Sequence, residues 1–186
     1  MAFNFNDLDA TTRALMQDEI LADVAKRRLY VSLRLNATGQ TQWLELLCEA
    51  VVNHDEAWLA DQLRQLQLLN TIETRTDHKT GHVFQAKIPR NAHEVLAEGE
   101  FNRYYVRGIC RKAQQSNYVF VRVYRAKIVV HPRPESQALI GHEFNASGLL
   151  NDLQSNPAIA LERVFALPAG PNTGLSVEIV KNANAG

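Results

Sequence analysis

Residues 92–130 set two periodicities end to end, and no single class of secondary structure satisfies both. From Ala92 to about Gln114 the pattern is helical, with Phe101, Tyr105 and Ile109 recurring every four residues. From Tyr118 to Val130 the run YVFVRVYRAKIVV is dense in β-branched and aromatic residues and reads as the strongest strand of the chain. Its alternation puts Val119, Val121 and Val123 on one face and Phe120, Arg122 and Tyr124 on the other. A fold containing both must join a helix to a sheet. The predicted class is α+β: N-terminal helices, a β-hairpin, a central basic helix and a small antiparallel or mixed sheet.

The flanking sequence fits that class. Residues 9–28 read as a helix through Leu15, Ile20, Leu21 and Val24, with Lys26, Arg27 and Arg28 at the end that favours cations. Leu29 to Leu35 reads as extended and Asn36 to Gly39 as a turn. Trp43, Leu46, Leu47, Ala50 and Val51 form a helical stripe over 40–53, and Asp55 is placed to cap a third helix carrying Trp58, Leu59, Leu63 and Leu66. The short link between them predicts an antiparallel pair. Thr71–Arg75 and His82–Ile88 flank Asp77–Gly81, a hairpin pattern that Pro89 ends. Asn91 and Glu94 resemble a capping box at the start of the central helix, and Gly99 predicts a kink within it. Pro132 and Pro134 predict the end of the long strand and an extended link. Beyond them come a helix over 147–154, an extended piece over 159–166, a loop over 167–174 and a last strand through Leu175, Val177 and Ile179. The domain reading is an N-terminal helical segment over 1–28, one α+β domain over 29–181 and a flexible tail over 182–186.

Charge is the second constraint. Between Phe101 and Pro134 stand Arg103, Arg107, Arg111, Lys112, Arg122, Arg125, Lys127 and Arg133, with no Asp or Glu among them. The whole chain carries twenty cations and twenty acids, so the excess is local. Arg103, Arg107 and Arg111 are four apart, and like charges at that spacing call for an anionic neighbour. The stripe Phe101, Tyr105 and Ile109 is rotated from them by about 160° at ~100° per residue, which predicts aromatics inward and arginines outward. Two readings follow. The ladder meets phosphates or the acids of a partner; or it pairs with acids of its own chain, such as Glu94, Glu98 and Glu100. Arg122 and Arg125 fall on opposite faces of a regular strand, which argues against one continuous nucleic-acid groove. Tyr104, Tyr105, Tyr118, Phe120 and Tyr124 interleave with the cations, as in single-strand stacking platforms or simply as core.

Chemistry-bearing constellations are thin. His78 and His82 sit on a predicted hairpin turn, where a spacing of four does not aim both rings at one point, and His54, His93, His131 and His142 are scattered, so no metal and no cofactor is expected. Cys48 and Cys110 read as small buried hydrophobes rather than a disulfide. No G-x-S-x-G occurs, and residues 170–174 lack the lysine and helix of a phosphate-cradling loop. His93 with Glu98 and Glu100, or Glu135 with Ser136 and His142, are acid–base sets of a kind any chain of this length offers. The start MAFNFNDLDATTR lacks a basic and an apolar leader region, and no stretch approaches the roughly 20 apolar residues of a membrane span. The cytosol, or an object assembled there, is the expected location, with no membrane partner.

Two stretches, AEGEFNRYYVRGICRKA at 97–113 and HPRPESQALIG at 131–141, and less distinctly PAGPNTGLSV at 168–177, resemble a family of uncharacterised proteins encoded in tailed bacteriophages and prophages near the virion genes. The resemblance spans most of the chain from Leu29 onward and supplies no catalytic residues. It implies a component of a phage particle: a virion structural protein, assembled in the bacterial cytoplasm, whose partners are copies of itself and other particle proteins. The expectation is binding rather than catalysis, through the eight cations of 101–134 and with the link at 132–134 and the loop at 168–174 as arms. A nucleic-acid-binding accessory protein, with DNA as partner of the same cations, is the alternative.

Overall fold

A computed structural model describes residues 3–77, 79–156, 161–165 and 173–181. The fold is α+β, with helices wrapped around one long central helix and two small antiparallel sheets at the periphery. α1 (Ala10–Ala25) is capped by Asp9, whose carboxylate accepts the Thr12 N–H. α2 (Ala37–Asn53) and α3 (Glu56–Gln65) form the expected adjacent pair. Asp55 caps α3 by accepting the Trp58 N–H at 2.8 Å. Asn36 is not part of a turn. It caps α2 by accepting the Gly39 N–H, so that helix begins three residues earlier than its apolar stripe suggests.

The hairpin is β1 (Ile72–Thr76) against β2 (Val83–Lys87), with Ile72 opposite Lys87 and Thr76 opposite Val83. A bridge between Leu35 and Leu69 and the Arg34–Glu73 ion pair at 2.6 Å tie its root to the body.

α4 (Ala92–Gln115) runs unbroken for 24 residues through Gly99, where a kink was expected. Asn91 precedes it but makes no capping bond with its side chain, so the predicted capping box is absent. Every residue from Phe101 to Cys110 is buried. The helix is enclosed by α1, α3, α6 (Ala146–Ser155) and the second sheet. At its C-terminus Asn117 takes a φ of 59°, and the Tyr118 N–H returns to the Ala113 carbonyl at 2.8 Å. That turn delivers the chain into β3.

The second sheet has the order β4 (Glu143–Asn145), β3 (Phe120–Arg125), β5 (Leu175–Ile179), all antiparallel, with Val121 opposite both Phe144 and Ile179. β3 ends at Arg125 although the β-forming sequence continues to Val130. The break coincides with a close approach: Gly174, at φ +69°, accepts the N–H groups of both Ala126 and Lys127, and a Cβ on it would lie 2.6 Å from the Lys127 carbonyl. The prolines do not leave a purely extended link, because Pro134 opens a short helix, α5 (Pro134–Ala138). Leu161–Val164, expected as extended, is a single helical turn, α7. Most of the expected loop at 167–174 and the tail at 182–186 lie outside the described residues.

One core joins the helices to the second sheet, and the hairpin contributes no residue to it. Met16 and Ile20 of α1 join Trp43, Leu47, Leu59, Phe101, Ile109, Val121, Leu153 and Val177 in it. Phe5 extends it by packing its ring 4.4 Å from that of Tyr105. Cys48 and Cys110 are free thiols, and burial pushes both upward from the ordinary thiol range.

Candidate functional site

The arginine ladder of α4 faces inward, which corrects the outward orientation expected from the aromatic stripe. Arg107 is 1% exposed. Its Nε donates to Glu19 at 2.8 Å and its two terminal nitrogens donate to Asp23 at 2.5 and 3.1 Å. The Tyr104 hydroxyl donates to the same Asp23 carboxylate at 3.0 Å, and the Gln154 amide donates to Glu19 at 2.9 Å. Burial on its own lowers the Arg107 pKa, but hydrogen bonds and charge from Asp23 and Glu19 outweigh it and hold the guanidinium above its ordinary value. Arg111 reaches Glu19 at 3.2 Å from the half-exposed end of the same interface. A helix enclosed on every side has no wet face, so an apolar stripe on it does not tell which way its cations point.

Arg103 is buried as well. It pairs with Glu100 at 3.2 Å and lies 5.5 Å over the Tyr30 ring. Its Nε and one terminal nitrogen, and one Glu100 oxygen, have no hydrogen-bond partner among the described residues. Burial, only partly offset by Arg103, pushes the Glu100 carboxyl up to about 7.

The other cations are also engaged by their own chain. Lys112 contacts Asp9 at 2.5 Å and Thr12 at 3.2 Å, and that contact draws the Asp9 carboxyl down to about 2. Arg122 pairs with Glu178 at 2.8 Å on the neighbouring strand. Arg125 donates to the Thr173 carbonyl at 2.6 Å and to Gln137 at 3.1 Å. Lys127 pairs with Glu98. Arg133, before α5, is engaged within the chain and offers its carbonyl to the Ser136 hydroxyl at 2.8 Å. The eight residues are thus spread over the α1–α4 interface, the second sheet and the segment that follows it. Of the acids named as self-partners, Glu98 and Glu100 serve, whereas Glu94 stands 3.8 Å from His93 instead. The main acceptors, Glu19 and Asp23, were missed. Their signal was present: they fall in helical register with Thr12, Met16 and Ile20, on the buried face of α1.

A cleft between α3 and the start of α4 holds a different set. One cavity of about 190 Å³ gathers His93, Glu94 and Glu98 with Glu56, Asp61 and Lys127. Glu56 is 2% exposed and accepts the Phe3 N–H at 2.6 Å, and burial raises its carboxyl above the ordinary range. His93 and Glu98 therefore share a cavity, while Glu100 faces Arg103 and α1. Arg64 and His93 also line an adjoining groove of about 320 Å³ at the root of the hairpin.

Several large apolar side chains are exposed among the described residues, Leu33 most of all at 91%, and two groups of them project from β-forming segments. Ile72, Val83 and Phe84 are exposed on the hairpin, and Ile128 and Val130 are 69% and 75% exposed on the segment that leaves β3. Among the described residues, no helix is long and apolar enough to cross a membrane. The chain matches no family model, no curated protein and no solved structure.

Proposed function

We propose that the protein is a non-enzymatic structural subunit of a bacteriophage-like particle, placed in the virion through contacts between copies. The observation that carries this reading is the pair of apolar projections. Ile128 and Val130 belong to the strongest β-forming run in the sequence, yet they stand in water outside any sheet. Among the described residues the hairpin likewise has two strand edges with no further strand on either. Exposed apolar side chains beside unpaired strand edges are what a neighbouring chain completes. The phage-family resemblance of residues 97–113 and 131–141 supports the kind of object involved.

The nucleic-acid alternative draws less support. It needs the cations of 101–134 to be available, and their partners are acids and carbonyls of this chain. Freeing Arg107 would leave two buried carboxylates without a counter-charge.

Size-exclusion chromatography with light scattering across a range of concentration tests the proposal. A discrete oligomer, or growth into larger particles, that collapses to monomer in an Ile128→Asp/Val130→Asp variant is the expected result. A wild-type monomer at every concentration counts against it.

A further inference from the structure

The groove at the root of the hairpin holds basic side chains that the ion pairs of the fold leave unmatched. It lies between the end of α3, the first residues of α4 and the paired segments 69–71 and 87–90. Leu63, Leu69 and Ile88 make an apolar floor, and Lys87, Arg90 and His93 stand around it, with no carboxylate in the lining. Arg64, which also lines the groove, is bound to Asp61 at 2.7 Å. Lys87 and Arg90 have no ion partner among the described residues, unlike Arg107, Lys112, Arg122 and Lys127. The N-terminus of α4 opens beside them at Ala92, and Asn91 makes no side-chain cap there, so the positive end of the helix dipole adds to the same field.

The backbone adds a second kind of complementarity. Hydrogen bonds from Asp77 N–H to the His82 carbonyl and from Ile88 N–H to the Thr71 carbonyl fix which residues of β2 face β1. By alternation the N–H and C=O groups of Val83, Gln85 and Lys87 point away from β1, toward an open edge. Lys87 is therefore both a groove residue and the last residue of a free strand edge.

A long polyanion suits this place poorly. Past His93 the groove continues into the cavity of Glu56, Glu94 and Glu98, where successive phosphates would be repelled. A short segment that stops before those carboxylates avoids them. We propose that the groove binds a short, extended, acidic segment of a partner protein. Its carboxylates would rest on Lys87 and Arg90, an apolar side chain on Leu63, Leu69 and Ile88, and its backbone along β2. The inference rests on the assembly reading only for where such a segment comes from, and peptide binding is measured without assembly, so either can fail alone.

The test is fluorescence anisotropy of a labelled peptide of about eight residues, alternating Glu with Val, titrated with the full chain. Saturable binding is expected, weakened at least about tenfold by Lys87→Glu/Arg90→Glu and little changed by Lys79→Glu in the exposed hairpin turn. Circular dichroism of the double variant confirms that it is folded. The proposal is overturned by an unchanged affinity in the double variant, by equal binding of a control peptide with every Glu replaced by Gln, or by no binding of the acidic peptide at all. Tighter binding of a single-stranded oligonucleotide of equal charge overturns it in favour of nucleic acid.

Discussion

Arg107 of α4 and Asp23 of α1 meet at 2.5 Å, each side chain about 1% exposed, so a cation expected on an outward face is among the least available in the fold. Glu19 completes the arrangement at 2.7 Å, and Arg111 and Gln154 satisfy its other side. A buried ion group of this kind gains little over a well-packed apolar one, because desolvation offsets most of the attraction. What it adds here is register: only one sliding position of α1 along α4 places Asp23 and Glu19 on Arg107 while Met16 rests on Gly108.

Removing the cation alone should therefore be costly. Arg107→Met leaves Glu19 and Asp23 buried with Arg107's five donors gone, and a loss of about 3–5 kcal/mol is expected. Urea unfolding of the variant against wild type measures it. A loss below about 1 kcal/mol would mean that the carboxylates find water or other donors, contrary to the enclosed geometry.

The helix contact next to that group gives a second prediction. A Cβ on Gly108 would stand 2.9 Å from Met16 Cγ and 3.2 Å from the Thr12 carbonyl oxygen. Alanine is worth about 1 kcal/mol over glycine inside a helix, but overpacking a tight crossing costs about 1–3 kcal/mol. The methionine can move and the carbonyl cannot, so Gly108→Ala should be net destabilising by about 1 kcal/mol, with a lower thermal midpoint. Adding Met16→Ala should lower stability further, because it empties part of the core while the Thr12 carbonyl contact remains.

The elements of this fold were legible where a local pattern decides them. Asp55, the hairpin and the alternation of Leu175, Val177 and Ile179 are short-range features, and each stands where the sequence put it. What the sequence hid was enclosure. An apolar stripe tells which way the other residues point only if the opposite face is wet, and α4 has no wet face over 101–110. The same limit explains β3: its β-forming run is longer than the strand because pairing needs a partner, and Gly174 takes up the N–H groups of Ala126 and Lys127. The basic cluster was visible as charge, but the partners of Arg107 lie 84 and 88 residues away on α1, at a sequence distance no spacing rule spans.

Asn102 is a further buried polar link, from α4 to the second sheet. Its amide nitrogen donates to the Leu175 carbonyl at 2.8 Å, and its oxygen accepts the Ser176 hydroxyl at 2.7 Å. Asn102→Leu strips both partners inside the core and should cost about 2–4 kcal/mol, whereas Ser176→Ala, which removes only one bond, should cost about 1 kcal/mol. Chemical denaturation of both variants and of the double variant gives the coupling. A double variant no worse than Asn102→Leu alone is the expected outcome, since the serine has already lost its partner.

The most direct readout of the buried polar group is its pH dependence. Glu100 titrates at about 7 in the folded chain against an ordinary 4.5, mainly through burial, with Arg103, Arg107 and Asp23 as its charged neighbours. A carboxyl raised on folding binds its proton more tightly in the native state. The stability it contributes is therefore complete below about 4.5 and is lost as pH rises through about 7, the opposite of an ordinary surface carboxylate. Glu56, also raised by burial, acts in the same direction. Wild-type unfolding free energy should fall between pH 5 and 8 by an amount on the order of 3 kcal/mol. Glu100→Gln cannot ionise and keeps an oxygen for Arg103, so its profile should be flatter over that window and cross the wild-type curve toward higher pH. Equal slopes in the two proteins would place the titrating group elsewhere and make Arg103 a sufficient counter-charge for Glu100 at every pH.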